Sequence, residues 1–309
     1  MSKPEWFYRV RNFPAHMLVY LMMFIARIMP QRVAIRVGGN LGVLLWYMFG
    51  RWRRTSMRNI ELAFRGQKTR EEAWRIGRDA AWNIGCHVME FIMFGIKGKQ
   101  QIYDMVEEVE GLEHMQEGLA KGKGLIAVGM HYGNWELVAA WVTKNIRVMH
   151  AVGKRQADPF FTNIAFPWRA RFDIQNIYAG KNANASILKT LRAGDIIGLV
   201  ADVNGGTTGV FVPFCGIQAS TVPGPGALGV RTGAPMVLLF SRRIRPGRHK
   251  VYFRPVNLED LPEDNNEAQL EVLRRVNEMY EQVLIEDPTQ WLWGHKRWKT
   301  RPAGEEPLY

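Results

Sequence analysis

The chain has 309 residues, 47% of them hydrophobic, which suits one large α/β domain with appendages, and no Ser/Gly/Pro linker or repeat marks a boundary inside it. Its two cysteines, Cys86 and Cys215, lie far apart and exclude a disulfide framework, while seven histidines without metal-ligand spacing argue against a metal site. The net charge is +12 and uneven: ten Lys or Arg, from Lys3 to Arg58, stand against Glu5 alone in the first sixty residues, a surface for an anionic membrane, an acidic protein or nucleic acid.

In chain order, Ala15 to Met29 is an apolar run broken only by His16 and Arg27. As a helix it would reach about 22 Å, short of a hydrocarbon core of about 30 Å. Pro30-Gln31-Arg32 follows it, where a signal peptide would offer small residues for cleavage. A second run, Val33 to Phe49, carries Arg36, Asn40 and three glycines and leads into Arg51, Trp52, Arg53 and Arg54. This cluster reads as an interfacial anchor, with Trp46, Tyr47 and Trp52 at headgroup depth and the arginines on lipid phosphates; the alternative is a pair of packed core helices. Residues 1–55 are therefore expected to form membrane-associating helices, and residues 56–309 the α/β domain.

From Thr69 to about Gly95, apolar residues recur at helical spacing (Ala73, Trp74, Ile76, Ala80, Ile84, Val88, Phe91), with His87 inside the helix as a core histidine. Leu112, Met115 and Leu119 mark a short helix, and Lys121 to Gly124 turns into the stretch around which the chain is organised, Leu125 to Leu137. There an apolar run gives way to Gly133 and the N-cap residue Asn134, which predicts a buried strand, a turn holding His131, and a helix. A histidine at the carboxyl end of a strand stands where open α/β sheets hold ligands. On a regular helix His131 and Glu136 would lie about 140° apart. The turn at Gly133 would let the imidazole fold back so that Glu136 accepts a hydrogen bond from its Nδ1–H and orients a general base. The same residues also suit a plain helix start, with Asn134 as cap, Glu136 as first-turn acid and His131 as a turn histidine.

Farther on, apolar runs at Val148 to Val152, Ile174 to Tyr178, Ile196 to Ala201, Met236 to Phe240 and Val251 to Val256 predict strands. Helices are expected over Ser186 to Leu191, Pro223 to Thr232 and about Glu267 to Glu286, so strands and helices alternate as in a mostly parallel central sheet flanked by helices. Gly224-Pro225-Gly226-Ala227-Leu228-Gly229 matches a dinucleotide-binding string, but Pro225 removes a donor a phosphate cradle needs. No Gly-x-Ser-x-Gly elbow supplies a serine nucleophile, and nothing pairs Cys215 with a histidine. Arg155, after a strand, and Arg169 and Arg171, after a segment rich in Phe and Trp, are candidates for acceptor phosphates or a developing oxyanion, and Asp202, at a strand end, for contact with substrate. Each could equally be a solvated charge or, for Asp202, a turn residue.

The stretch Gly129-Met130-His131-Tyr132-Gly133-Asn134-Trp135-Glu136 resembles the His-x4-Glu signature of the bacterial lipid A late acyltransferases, and the likeness covers nearly the whole chain. It includes Arg58-Asn59 to Ala63-Phe64, Glu110 to Glu113, Gly194-Asp195 to Ala201-Asp202, Val210 to Phe214 and Trp293 to Pro302, with departures at Val203 and Cys215. The resemblance implies transfer of a fatty acyl chain to a hydroxyl of a lipid A precursor glycolipid, with His131 as base and Glu136 as its partner. It further implies acyl carrier protein as donor, an acceptor in the bacterial inner membrane, a site on the cytoplasmic side, and no cofactor. Another glycolipid or lysophospholipid acyltransferase of the same group, using acyl-coenzyme A, is the alternative. No RNA-binding or helix-turn-helix signature supports a nucleic-acid partner.

Overall fold

A computed structural model describes residues 5–180 and 183–309; Lys3, counted above among the basic residues, lies outside them. The chain opens with helices α1 (Glu5–Arg11), α2 (Phe13–Ile28), α3 (Gln31–Met48), α4 (Gly50–Phe64), α5 (Arg70–Ile96) and α6 (Lys99–Tyr103). Strand β1 (Val106–Glu110), α7 (Leu112–Ala120), β2 (Leu125–Gly129), α8 (Trp135–Asn145), β3 (Met149–Gly153), α9 (Pro159–Arg171) and β4 (Gln175–Tyr178) follow. Then come α10 (Ala183–Arg192), β5 (Ile196–Val200), β6 (Val210–Phe214), β7 (Ile217–Thr221), α11 (Gly224–Thr232), β8 (Met236–Arg245), β9 (Arg248–Val256) and α12 (Asn265–Glu286).

Seven strands form one sheet in the order β1-β9-β8-β2-β5-β3-β4, with β6 and β7 as a separate hairpin. All neighbours in the large sheet are parallel except β8 and β9, joined as an antiparallel hairpin. The sheet is buried on both faces, as parallel sheets must be. Ile126, Val128 and Met130 point to one core, shared with α10, α11 and α12; Leu125 and Ala127 point to the other, shared with α5 and α8. The α/β architecture and the mostly parallel sheet agree with the sequence pattern. Strand β1 and the hairpin β6–β7 were not predicted: β1 is an edge strand of sequence Val-Glu-Glu-Val-Glu, with too little apolar content to show a buried run.

The N-terminal helices join this core. Ala34 and Ile35 of α3 are wholly buried with Cys86 and Met89 of α5, and α4 runs through the boundary between residues 55 and 56 without a break. The α3–α5 contact is a close backbone approach: a Cβ on Gly42 would lie 2.3 Å from the carbonyl oxygen of Ala81, and one on Gly85 would lie 2.2 Å from that of Gly38. Phe13, Met17, Tyr20, Leu21, Phe24 and Ile28 of α2 form an exposed apolar stripe at helical spacing. Among the described residues no single helix is long and apolar enough to cross a membrane; α3 and α4 pass that test only as a pair, bent by 94° between them.

Because the helix spacing leaves no room for a side chain, Gly85→Val is expected to destabilise the whole fold by about 1–3 kcal/mol or more, the usual cost of overpacking. Urea unfolding of the purified variant beside the parent measures it; an unchanged midpoint would contradict the close α3–α5 approach.

Candidate functional site

The parallel register of β2 and β5 places the first two candidate side chains. Gly129 lies beside Val200, and the backbone N–H of Ala201 donates to the carbonyl of Gly129. The same offset carried two residues past both strands brings His131 level with Asp202. There His131 Nδ1 lies 2.7 Å from Asp202 Oδ1, and the backbone N–H of His131 donates to Oδ2 at 2.8 Å. The indole Nε1–H of Trp291 also donates to Oδ2, at 2.7 Å. Burial alone would raise the Asp202 pKa, but the His131 charge and these hydrogen bonds overcome it and hold the carboxyl below its ordinary value. Burial likewise pulls the His131 pKa down; Asp202, by charge and hydrogen bond, and Glu136 behind it reverse that and leave the imidazole pKa raised. With Nδ1 taken by Asp202, Nε2 has no partner among the described residues, and the ring keeps 25% of its side-chain surface exposed.

The turn that carries His131 is fastened from three sides. Gly133 has φ of 59°, and a Cβ there would sit 1.8 Å from the carbonyl oxygen of Ser241 on β8, so only glycine fits. Asn134 caps α8 by accepting from the Leu137 N–H at 3.0 Å, and its own backbone N–H donates to Ser241 Oγ at 2.9 Å. Its side-chain amide donates to Glu90 Oε2 at 3.0 Å. Glu90, on α5, is wholly buried; it forms an ion pair with Arg243, 2.6 Å from Nη2, and a hydrogen bond with His249, 3.1 Å from Nε2, whose imidazole pKa burial holds below its ordinary value. Burial would raise the Glu90 pKa, yet Arg243 and His249 together hold it far below the carboxylate range. Sequence reading missed this network. Its signal is a polar stripe, Asn83, His87 and Glu90, at helical spacing on the apolar face of α5. Of these, His87 stays neutral, its pKa pushed down to about 4 by burial.

Glu136 does not take the part expected for it. It lies at the second position of α8 and forms a buried ion pair with Arg169 of α9, whose Nε is 2.8 Å from Oε2 and whose Nη2 meets Oε1. The reason is the register: Nδ1 of His131 faces the end of β5, where Asp202 stands, and away from the first turn of α8. Glu136 therefore acts on His131 only through its field. Asp202, expected to touch substrate, has 1% of its side chain exposed and is turned to His131 and Trp291. Arg169 is committed to Glu136, and Arg171 donates to the Phe94 carbonyl at 2.7 Å. Arg155 remains exposed, stacked 4.3 Å over the Tyr178 ring at the same carboxyl edge of the sheet.

A run of aromatic rings leads from His131 into the fold. Its imidazole is 4.9 Å from the Trp135 ring, Trp135 is 3.7 Å from His87, His87 is 6.4 Å from Phe91, and Phe91 is 5.4 Å from Trp168 on α9. Trp168 also lines a cavity of about 610 Å³ between α2 and α9, walled by Phe13, Met17, Tyr20 and Phe160. At its rim Asp158, the cap of α9, accepts from Asn12 at 2.7 Å and bonds His16 Nε2 at 2.8 Å, latching α2 to α9. Among the described residues no group of three or more His, Cys, Asp or Glu is arranged to hold a metal ion.

The family model described as bacterial lipid A biosynthesis acyltransferase matches residues 4–300. The lipid A biosynthesis palmitoleoyltransferase of Escherichia coli (strain K12) is 26% identical over 289 residues, which cover 91% of this chain and 90% of that protein. The lipid A biosynthesis lauroyltransferase of the same strain is 26% identical over 284 residues, at the same coverage. Over a shorter stretch, 132 residues and 42% of each chain, the phosphatidylinositol mannoside acyltransferase of Mycobacterium tuberculosis (strain CDC 1551 / Oshkosh) is also 26% identical. With the match running from residue 4 to residue 300, the chain belongs to the bacterial lipid A biosynthesis acyltransferase family.

Proposed function

We propose that this acyltransferase moves a fatty acyl chain from the thioester of acyl carrier protein to a hydroxyl of a lipid A precursor glycolipid, with His131 as general base. The observation that carries the reading is the imidazole whose Nδ1 is held by a buried carboxylate, leaving Nε2 free at the carboxyl edge of the sheet. In the step proposed, Nε2 takes the proton of the acceptor hydroxyl as its oxygen attacks the thioester carbonyl; the new C–O bond forms, the C–S bond breaks, and the proton passes to the leaving sulfur. Asp202 keeps the proton on Nδ1 and stabilises the imidazolium while it lasts. Glu136 and Arg169 form a second charged pair beside the base, and Arg155, exposed at the same edge, is free to meet an anionic group of either substrate. The apolar cavity between α2 and α9, joined to His131 by aromatic rings, suits the acyl chain.

The acceptor is a membrane lipid, and the exposed stripe of α2 with the arginines of α3 and α4 suits a protein lying on the cytoplasmic face of the bacterial inner membrane. The mannoside acyltransferase among the relatives favours a second reading in the same chemistry, in which the acceptor is a different glycolipid.

Two consequences are measurable. His131→Ala should lower turnover by about two to four orders of magnitude with unchanged unfolding, the usual worth of a positioned base; near-normal transfer would remove His131 from the role. A base must be neutral to act, so kcat/KM should fall on the acid side with a midpoint above 6.5, the ordinary imidazole value, because the His131 pKa is raised. Asp202→Asn removes what raises it while burial still lowers it, so the midpoint should move to lower pH as the rate drops by about 10²–10⁴-fold. A fixed or upward-moving midpoint would show that Asp202 does not act through the imidazole.

Transfer should also be direct. The Cys86 thiol is pushed up to about 12 by burial, and that of Cys215 is raised by burial and by Glu281, so neither is poised as a thiolate. Incubation with acyl donor alone should leave the intact protein mass unchanged; a gain of one acyl chain that acceptor removes would establish an acyl-enzyme instead.

A further inference from the structure

A cavity of about 810 Å³ lies between α4 and the first turns of α5, and His131, Asp202, Glu136 and Arg169 are not among its walls. Arg53, Arg54, Arg58, Lys68 and Arg70 line it, against Glu61 alone. Some of these cations are engaged: Arg53 donates to the carbonyl of Tyr47, Arg58 pairs with Glu61 at 3.0 Å, and Lys68 lies 5.5 Å over the Phe64 ring. Arg54 and Arg70 are exposed and make no ion pair or hydrogen bond among the described residues. Beneath the charges, Met57, Phe64 and Trp74 make an apolar floor. The rim continues into an exposed apolar patch at the end of α3, Tyr47, Met48 and Phe49, with the Tyr47 ring 6.0 Å from Trp74.

Converging cations above an apolar floor, opening beside exposed aromatic and aliphatic side chains, match a molecule with phosphate at one end and hydrocarbon at the other. Guanidinium groups favour phosphate through paired donors, and headgroup depth is where arginines and aromatic rings meet it. An acidic protein helix would ask for cations spread along a ridge, whereas here they surround one hollow. We infer that this cavity holds the phosphate headgroup of one anionic phospholipid, its hydrocarbon resting on Met57, Phe64 and Trp74. The inference rests on the reading of α2 and α3 as a membrane-facing surface, and adds to it a discrete lipid site whose walls include none of the proposed reacting groups.

The test uses the full chain and vesicles of phosphatidylcholine, with and without phosphatidylglycerol. A double variant, Arg54→Ala with Arg70→Ala, is compared with Lys121→Ala and Lys123→Ala, which removes equal charge from the exposed turn before β2. Wild type should bind both vesicles and prefer the anionic ones. The cavity variant should lose about 10- to 30-fold in affinity for anionic vesicles and nothing for neutral ones, while the turn variant stays within about threefold of wild type. Equal losses in the two variants, or none in the first, would overturn the site and leave the membrane reading standing; wild type that binds neither vesicle would overturn that reading itself. Two further arms separate other ligands. Displacement from anionic vesicles by inorganic phosphate, but not by chloride of equal ionic strength, would make this a free-anion site. Loss of affinity for acyl carrier protein with vesicle binding intact would make it a protein-docking site. Either result overturns the proposal.

Discussion

Glu90 is a carboxylate with no surface exposed, and breaking a buried ion pair by removing one partner typically costs about 3–5 kcal/mol, so the elements around Glu90 are held to the positions that supply its partners. Arg243 and His249 reach it from the β8–β9 hairpin, Asn134 from the turn before α8, and Asn83 and Gln290 close the ring by bonding Arg243. One helix, two strands and one turn are thereby locked together. The catalytic geometry proposed for His131 inherits its precision from that lock, since the imidazole stands three residues before Asn134. A substituted Glu90 would be felt at His131 without touching it.

Beyond this centre the site is an arrangement of two buried charge pairs with different duties. Asp202 meets an imidazole, which as the proposed base would gain and lose a proton, so its pair would switch; Glu136 meets a guanidinium, which never gives up its proton, so its pair is permanent. The permanent pair ties α8 to α9 across the front of the sheet. It also sets the field in which the imidazole titrates, Glu136 raising the His131 pKa and Arg169 lowering it.

Much of this could be read in the sequence, where the physical signal was local. Buried parallel strands are short continuous apolar runs, and β2, β3, β4, β5, β8 and β9 all fell where such runs stand; the turn at Gly133 and the cap at Asn134 announced themselves in the same way. What stayed hidden were long-range matters. That His131 finds Asp202 depends on the β2–β5 register, an offset of 71 residues that no local pattern encodes, although adding that offset to 131 names Asp202 at once. Glu136 looked like the partner because it was near in sequence. Arg51, Trp52, Arg53 and Arg54 read as an interfacial anchor, and they stand in the first turns of α4, whose continuation to Phe64 was not predicted. Arg297, buried with no ion-paired carboxylate among the described residues and resting 4.8 Å over the Phe214 ring, gave no local sequence signal of being interior.

Trp291 has a consequence in time. Its indole is one of the donors that hold Asp202, and His295, a few residues on, accepts from the backbone of Asn204 beside it. Both lie beyond residue 290, whereas the apolar stripe of α2 lies between residues 13 and 28. A ribosome making this protein therefore delivers α2 and its apolar stripe long before it delivers Trp291 and His295, and the hydrogen bond that joins Trp291 to Asp202 spans 89 residues. Until Trp291 emerges, Asp202 lacks one of its donors, so the pair proposed for catalysis is assembled only after the N-terminal helices have been made.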